Sequence, residues 1–421
     1  VSSGAAGTAT EALQPYHHHL SEVAQELSER GSQGVLVIDA SALAGIEDEY
    51  GVAAYEEVRK RLLSVLQEQR GKDYRQEDIL ALDRPRGLRF LLFLARKRRR
   101  ALPTSAADLR IVQSRVQASL VPNLARCAFP YRKTAGEIEV GYAMAVYNPL
   151  IHTDRLVRSA FRDALKMAHH LRMVEHYLVR DRLLDVILRE RVITAYQPIM
   201  DIATRQVLGF EALSRGPRGS GLEGADALFG AATDHRLLVE LDRLCRRRAL
   251  LCSGRIPTNA KIFVNTLPAT IRDPQFRGRS LIEFLDQAQV SPDRIVIEIT
   301  EKLVIDNYAL FREAMAYFTD LGMSFAVDDV GAGYSGLESI ARLKPTFLKI
   351  DTALVRDVHV SLVNREMVKA IITMGNGIGA EVIAEGIQTE GEATVLQEMG
   401  VDWGQGYLLA RPEAGPEPTM A

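Results

Sequence analysis

The second half of the chain carries six short apolar runs, each ending in a carboxylate, an amide or a lysine, and this recurrence most constrains the fold. Gly209-Phe210 runs into Glu211, Ile262-Phe263-Val264 into Asn265, and Ile295-Val296-Ile297 into Glu298. Phe325-Ala326-Val327 runs into Asp328 and Asp329, Phe347-Leu348 into Lys349 and Asp351, and Val382-Ile383-Ala384 into Glu385. Continuous apolar runs of this length read as strands buried on both faces, which parallel sheets require. Amphipathic stretches of helical length lie between them at 281–290, 307–321 and 363–377. Strand then helix, repeated over about 240 residues, is the pattern of an α/β fold of the (β/α)8, TIM-like barrel type. Strand C-termini converge on one mouth of such a barrel, so the polar run ends are expected to cluster.

The 421 residues allow two or three domains with full cores. A formal charge of −2 exerts no general pull on a nucleic acid polymer or an acidic membrane, so an anionic ligand must be held by a local site. Cys127, Cys245 and Cys252 are too few and too unevenly placed for a disulfide framework or a zinc site, which favours a reducing, cytoplasmic location. No run reaches the ~18 apolar residues of a membrane span. The chain opens on Val1, which leaves room for an upstream membrane tether.

Residues 1–30 read as a small, polar, disordered start followed by a helix from 20. His17, His18 and His19 are consecutive, unlike a helical ligand pair at i, i+4. A strand at Gly34–Ile38, a helix at 52–69, apolar runs at 79–82 and 88–95, a helix at 104–121 and a strand around 137–145 follow. Together they suggest a mixed α/β domain over 31–172, and the unbroken helical spacing from Thr153 to Arg191 places a helical linker at 173–191. A barrel domain would then occupy 192–415.

Glu211, Asn265, Glu298, Asp328 and Asp329 are hard oxygen donors, the set that Mg²⁺ or Mn²⁺ prefers. Carboxylates gathered without cations repel, so such a cluster implies bound divalent ions. Adjacent Asp328 and Asp329 can serve two metals that clamp the attacking and leaving oxygens of a phosphodiester. Gly331 and Gly333 make the following loop flexible, and Lys349, within an apolar strand, suits either a buried ion pair or the activation of a water.

These residues resemble the EAL family of cyclic di-GMP phosphodiesterases. The signature stands as Glu211-Ala212-Leu213 within Gly209–Arg215. Around it, in family order, are Tyr196-Gln197-Pro198-Ile199, Phe263-Val264-Asn265, Glu298-Ile299-Thr300-Glu301, Asp328-Asp329, Lys349-Ile350-Asp351, Ala384-Glu385-Gly386 and Gln405-Gly406-Tyr407. The resemblance implies a two-metal site in which Glu211, Asn265, Glu298 and Asp328 hold one ion, while Asp329 and Glu385 serve the second. It implies catalytic roles for Glu211, Asp329, Lys349 and Glu385, and a loop-positioning role for Glu301. Substrate contacts are implied for Gln197, Leu213, Arg215, Asp351 and Gln405, with the Arg215 fork suited to a phosphate. The implied reaction is hydrolysis of cyclic di-GMP to linear pGpG, in a homodimer paired through barrel helices. Three positions depart from the family's usual pattern: Val330 and Ala332 in the loop, and Gln388 in place of a glutamate. They motivate an alternative, a receptor that binds cyclic di-GMP without cutting it and signals through the inter-domain helix.

Val37-Ile38-Asp39 through Ile46–Gly51 resembles the opening of a GGDEF cyclase domain in degenerate form. The family's metal-binding acids are lost at Ser41 and within Arg86-Gly87-Leu88-Arg89-Phe90, so the resemblance implies a regulatory domain without cyclase activity. Arg75 and Asp78 have the spacing of that family's product site, which raises GTP or cyclic di-GMP as a ligand there. The basic run Arg96–Arg100 reads as a solvated loop or a contact for an acidic partner.

Overall fold

The computed structural model describes residues 13–95, 105–132, 138–267, 273–300, 308–331, 340, 343–401 and 403–416. Arg96–Arg100, Glu301 and the loop residues 332–335 lie outside the described residues. The chain divides into two compact units, Val1–Leu178 and Val179–Ala421, with the division inside a long helix, Thr153–Leu188.

In the first unit, strands β1 (Ser32–Asp39), β2 (Ile79–Leu82), β3 (Arg89–Phe93) and β4 (Glu139–Val146) form one antiparallel sheet in the order β2-β3-β1-β4. Alternation along β1 sends its side chains to opposite faces. Leu36 and Ile38 pack with Val58, Leu62, Val116 and Leu120, from the helices Val52–Glu68 and Ala106–Arg126. Val35 and Val37 pack with Val23 and Leu27 of the helix Leu20–Arg30 and with Val157 and Ala160. The sheet is therefore covered on both faces, which explains why β1 reads as a continuous apolar run. The expected elements are present, with the helix of 104–121 extended to Arg126. Arg75 and Asp78 make contacts inside this fold. The Asp78 carboxylate accepts from the Arg75 and Ala95 amides, both at 2.7 Å, and Arg75 Nη1 donates to the Ala95 carbonyl at 2.6 Å.

In the second unit, eight strands close into a barrel: β5 (Ile193–Asp201), β6 (Val207–Arg215), β7 (Lys261–Asn265), β8 (Ile295–Thr300), β9 (Ser324–Val330), β10 (Phe347–Ile350), β11 (Glu381–Ala384) and β12 (Trp403–Gly404). From β6 to β12 neighbours run parallel, as expected. The first strand does not: β5 is antiparallel to both β6 and β12, and the β5–β6 connection is a short hairpin in place of a helix. The repeat thus begins ββα. A short β13 (Glu413–Ala414) adds to β5 outside the ring. The helices expected at 281–290, 307–321 and 363–377 span Gly278–Ala288, Tyr308–Asp320 and Leu362–Ile378. Among the described residues no helix is long and apolar enough to cross a membrane.

Two apolar shells hold the barrel. Between strands and helices lie residues such as Ile262, Ile297, Phe325, Leu348 and Val382. Inside the ring Ile199, Phe263, Val296, Ala326, Phe347 and Ile383 form a plug. That inner layer fixes the next one, because side chains two residues further along a strand point the same way.

Candidate active site

Two positions beyond Phe263, Val296, Ala326, Phe347 and Ile383 stand Asn265, Glu298, Asp328, Lys349 and Glu385. Glu211 joins from β6 and Gln197 from β5, whose reversed direction places it two residues before Ile199. The polar ring is thus the second layer of the barrel interior, seated on an apolar floor.

Lys349 is fully buried at its centre. Its Nζ lies 2.7 Å from Glu298 Oε1, 2.5 Å from Glu385 Oε1, 3.1 Å from Asp328 Oδ1 and 3.3 Å from Glu211 Oε2. Burial alone would favour the neutral amine, but the four surrounding carboxylates overcome it and hold the lysine pKa well above its ordinary value. In this arrangement Lys349 carries its positive charge at the centre of the ring. Asn265 Nδ2 donates to Glu211 Oε1 and Glu298 Oε2, both at 3.2 Å. Gln405 Nε2 donates to Glu211 Oε2 at 2.7 Å and to Gln197 Oε1 at 3.0 Å, while Gln197 Nε2 is anchored on the Ala410 carbonyl at 3.0 Å.

The negative charge is still under-compensated. Burial, reinforced by the neighbouring acids, pushes the carboxyls of Glu298 and Glu385 well above the usual range. Asp329 is pushed up to about 6, by burial first and then by Asp328 and Asp351. Glu298 Oε1 and Asp328 Oδ1 are buried, and the cation each of them meets among the described residues is the same one, Lys349, at 2.7 and 3.1 Å. Oxygens of Asp328, Asp329 and Glu385 lie within 4.8 Å of one another. This donor set fits divalent cations, since hard oxygens in excess of positive charge are what Mg²⁺ and Mn²⁺ bind. Asn265 fits as well, because an amide that donates to carboxylates can turn its oxygen to a cation.

Backbone geometry aims the second group of acids. Asp329 adopts φ of 56°, and Gly331 follows at φ 97°, where a Cβ would come within 2.3 Å of Leu354 Cδ1. Gly386, at φ 68°, turns the chain directly after Glu385, and a Cβ there would meet Thr352 Cγ2 at 2.5 Å. Asp351 caps the short helix Thr352–Val355, accepting from the Ala353 amide at 2.6 Å, and lies beside Asp329.

A cleft of about 410 Å³ opens on the ring, with Asn265 and Glu298 at its base and Leu213, Arg215, Phe229, Thr266 and Asp242 among its walls. Glu211, Leu213 and Arg215 alternate along β6 and share its inward side. Arg215 Nη1 rests on the Ser214 carbonyl at 2.9 Å, which leaves the rest of its fork for a ligand in that cleft. Of the three departures, Val330 is fully buried in the outer core, Gln388 is exposed and outside the ring, and Ala332 lies outside the described residues. Asp242 was not signalled by the run-end pattern. It projects from the helix Leu238–Leu251 and accepts from the Leu267 amide at 3.3 Å, just beyond Asn265. Its signal is a carboxylate among the buried positions Leu241, Leu244 and Cys245.

A model of the EAL domain family matches residues 180–412. The chain is 27% identical over 235 residues to the probable cyclic di-GMP phosphodiesterase PdeN of Escherichia coli, covering 55% of this chain and 45% of that protein. It is 31% identical over 229 residues to the cyclic di-GMP phosphodiesterase NbdA of Pseudomonas aeruginosa, covering 52% of this chain and 28% of that one. The chain thus spans less than half the length of either. The solved structure of the PaMucR phosphodiesterase in complex with c-di-GMP superposes with a TM-score of 0.51 at 24% identity, over 56% of this chain and 97% of that one, and so shares the fold. The ring of strand-end donors, the closed eight-strand barrel and a match over more than half the sequence give one conclusion: the chain belongs to the EAL domain family.

Proposed function

We propose that this protein is a metal-dependent phosphodiesterase that hydrolyses one phosphodiester of cyclic di-GMP to pGpG. The observation that carries the reading is the under-compensated ring, in which Glu211, Glu298, Asp328 and Glu385 face one lysine and Asp329 stands against Asp328 and Glu385. Glu211, Asn265, Glu298 and Asp328 would hold one cation, and Asp328, Asp329 and Glu385 a second. Such ions supply positive charge to the phosphoryl oxygens and to the departing 3′ oxygen. The chain's own residues do the rest. Arg215 grips a phosphate with its fork, Leu213 offers an apolar wall, and Gln197 and Gln405 hold Glu211 in place while facing the substrate. Asp329, with Asp351 beside it, is placed at the edge of the ring where it can accept a hydrogen bond from the attacking water. Lys349 holds the acids of the ring together.

The test is hydrolysis by the full chain with Mg²⁺ or Mn²⁺, read as pGpG by chromatography. Turnover no higher than in Glu211→Ala sinks the enzyme reading, and tight binding of cyclic di-GMP without turnover establishes the receptor instead.

The first unit is read as regulatory and without cyclase chemistry. Asp39, the acid retained from the cyclase pattern, is bound to Arg89 Nε at 3.0 Å and to the Ser41 amide at 2.9 Å, while Arg89 Nη2 reaches Ser41 Oγ at 3.3 Å. An internal arginine thereby neutralises the one carboxylate a metal would need. Formation of cyclic di-GMP from GTP and Mg²⁺ by this chain would overturn that reading. Self-association is also part of the proposal: Val360, Leu362, Val363 and Met367 are exposed together at the start of the helix Leu362–Ile378. Light scattering should give a dimer, and Leu362→Glu with Val363→Glu should give a monomer; a monomeric parent chain ends this part.

A further inference from the structure

The helices Leu238–Leu251 and Gly278–Ala288, with the turn Pro274–Phe276, enclose a second cleft of about 330 Å³. It shares no lining residue with the cleft at the barrel mouth. Arg243, Arg246 and Arg247 line it, against Asp273 and Glu283. Both acids have arginine partners. Asp273 already accepts from Arg243 Nε at 2.8 Å, Arg243 Nη2 at 3.0 Å, Arg246 Nη2 at 3.3 Å and the Gln275 amide at 3.0 Å. Glu283 is bound to Arg279 at 2.6 Å.

Arg246 is the unusual member. It is 1% exposed, its guanidinium lies 4.4 Å over the Phe276 ring, and its Nε is 2.9 Å from Asp242 Oδ2. Its Nη1 is buried and has no hydrogen-bond partner among the described residues. A buried donor without an acceptor is costly and rare, more so when it carries charge. The cleft is a place from which an acceptor can reach this guanidinium, and there Arg247, half-exposed with its Nη1 4.0 Å from Glu190, adds a second guanidinium and Phe284 an apolar wall.

We propose that this cleft binds a phosphate monoester carrying an aromatic group, as a site separate from the catalytic ring. Guanidinium forks match phosphate oxygens, the volume is within the range of small-ligand pockets, and Phe284 gives a ring something to pack on. Arg246 also links the cleft to the mouth. Its Nε touches Asp242, whose other oxygen accepts from the Leu267 amide, so drawing Arg246 towards a phosphate loosens Asp242's hold on the segment after Asn265.

Titration calorimetry of the full chain with phenyl phosphate tests the site, with inorganic phosphate as the smaller probe. Phenyl phosphate should bind with a sub-millimolar Kd, about tenfold more tightly than inorganic phosphate. Arg247→Ala, on a half-exposed side chain, should weaken binding about tenfold, and Arg246→Met should abolish it. Arg205→Ala, on the exposed β5–β6 hairpin and outside the cleft, should leave binding unchanged. Binding should also speed hydrogen exchange at the Leu267 amide. The site is refuted if no heat appears up to about 10 mM phenyl phosphate, or if the parent chain and Arg247→Ala bind alike. Loss of probe binding in Arg215→Ala, a residue that lines the barrel mouth and not this cleft, would place the probe at the mouth and overturn the assignment. Unchanged exchange at Leu267 would overturn the link between the clefts.

Discussion

Both units hold acids at strand ends, and they balance them differently. In the first unit Asp39 meets one arginine at 3.0 Å and one amide, so its charge is cancelled within the fold. In the barrel four carboxylates share Lys349, and Asp329 adds a fifth beside Asp328 and Glu385 with no cation of its own among the described residues. A third mode is seen at Glu392, which is almost fully buried yet satisfied by neutral donors, the amides of Asp357, Gln388 and Thr389 at 3.1, 2.9 and 3.0 Å. The comparison teaches that an acid cluster points to a cation only where the fold has left the balance open.

The largest effect should come from removing donors from the open balance. Glu211→Gln and Asp328→Asn should each lower pGpG formation by about 10³-fold or more, the scale on which transition-state charge stabilisation is lost. Chelation of divalent ions should abolish turnover in the parent chain and lower the thermal midpoint, because a ligand at 100 times its Kd stabilises by about 2.7 kcal/mol. Full activity in excess chelator would contradict the reading of the ring.

Next comes the lysine. Lys349→Met leaves buried carboxylates without their cation, a change that typically costs about 3–5 kcal/mol. Denaturant melts should show this loss in chelator and a partial recovery in Mg²⁺, since a divalent ion can replace the missing charge. Equal stability of the variant with and without Mg²⁺ would show that the ring does not bind the ion.

Much of this balance was legible in the sequence. Glu211, Asn265, Glu298, Asp328, Lys349 and Glu385 stand at or next to the ends of apolar runs because the layer below them is an apolar plug, and two-residue periodicity carries both layers into one interior. The direction of β5 was not legible, since an apolar run has the same appearance read either way and only the hairpin to β6 sets it. β12 escaped for a different reason: Trp403–Gly404 is too short to form a run. Arg246 was equally hidden, because an Asp242–Arg246 pair four residues apart on a helix reads as a solvated ion pair until the helix Gly278–Ala288 buries it.

Glu392 sharpens the comparison at smaller scale. Burial would raise its pKa, but the backbone amides outweigh burial and hold the carboxyl below its ordinary value. A depressed folded pKa contributes stability above the unfolded value that is lost as pH falls through the folded one. Glu392→Gln should therefore cost about 1–2 kcal/mol at neutral pH, the worth of a helix cap, and the difference should shrink as pH drops below 4.5. Melts across that range check it, and a cost that grows on acidification would contradict the assignment.

The smallest effect should come from the closed balance in the first unit. The side chain of Arg89 is 36% exposed and that of Asp39 15%, so solvent screens their pair. Arg89→Leu should cost at most about 1 kcal/mol. What it changes is the comparison itself, because it frees the Asp39 carboxylate in the first unit. If charge balance is what separates the two units, one freed acid is still too few donors for a hard cation, and Mg²⁺ should shift the melting of Arg89→Leu no more than that of the parent chain. An additional Mg²⁺-dependent stabilisation in the variant would show that the arginine, and not the missing acids, keeps metal out of the first unit.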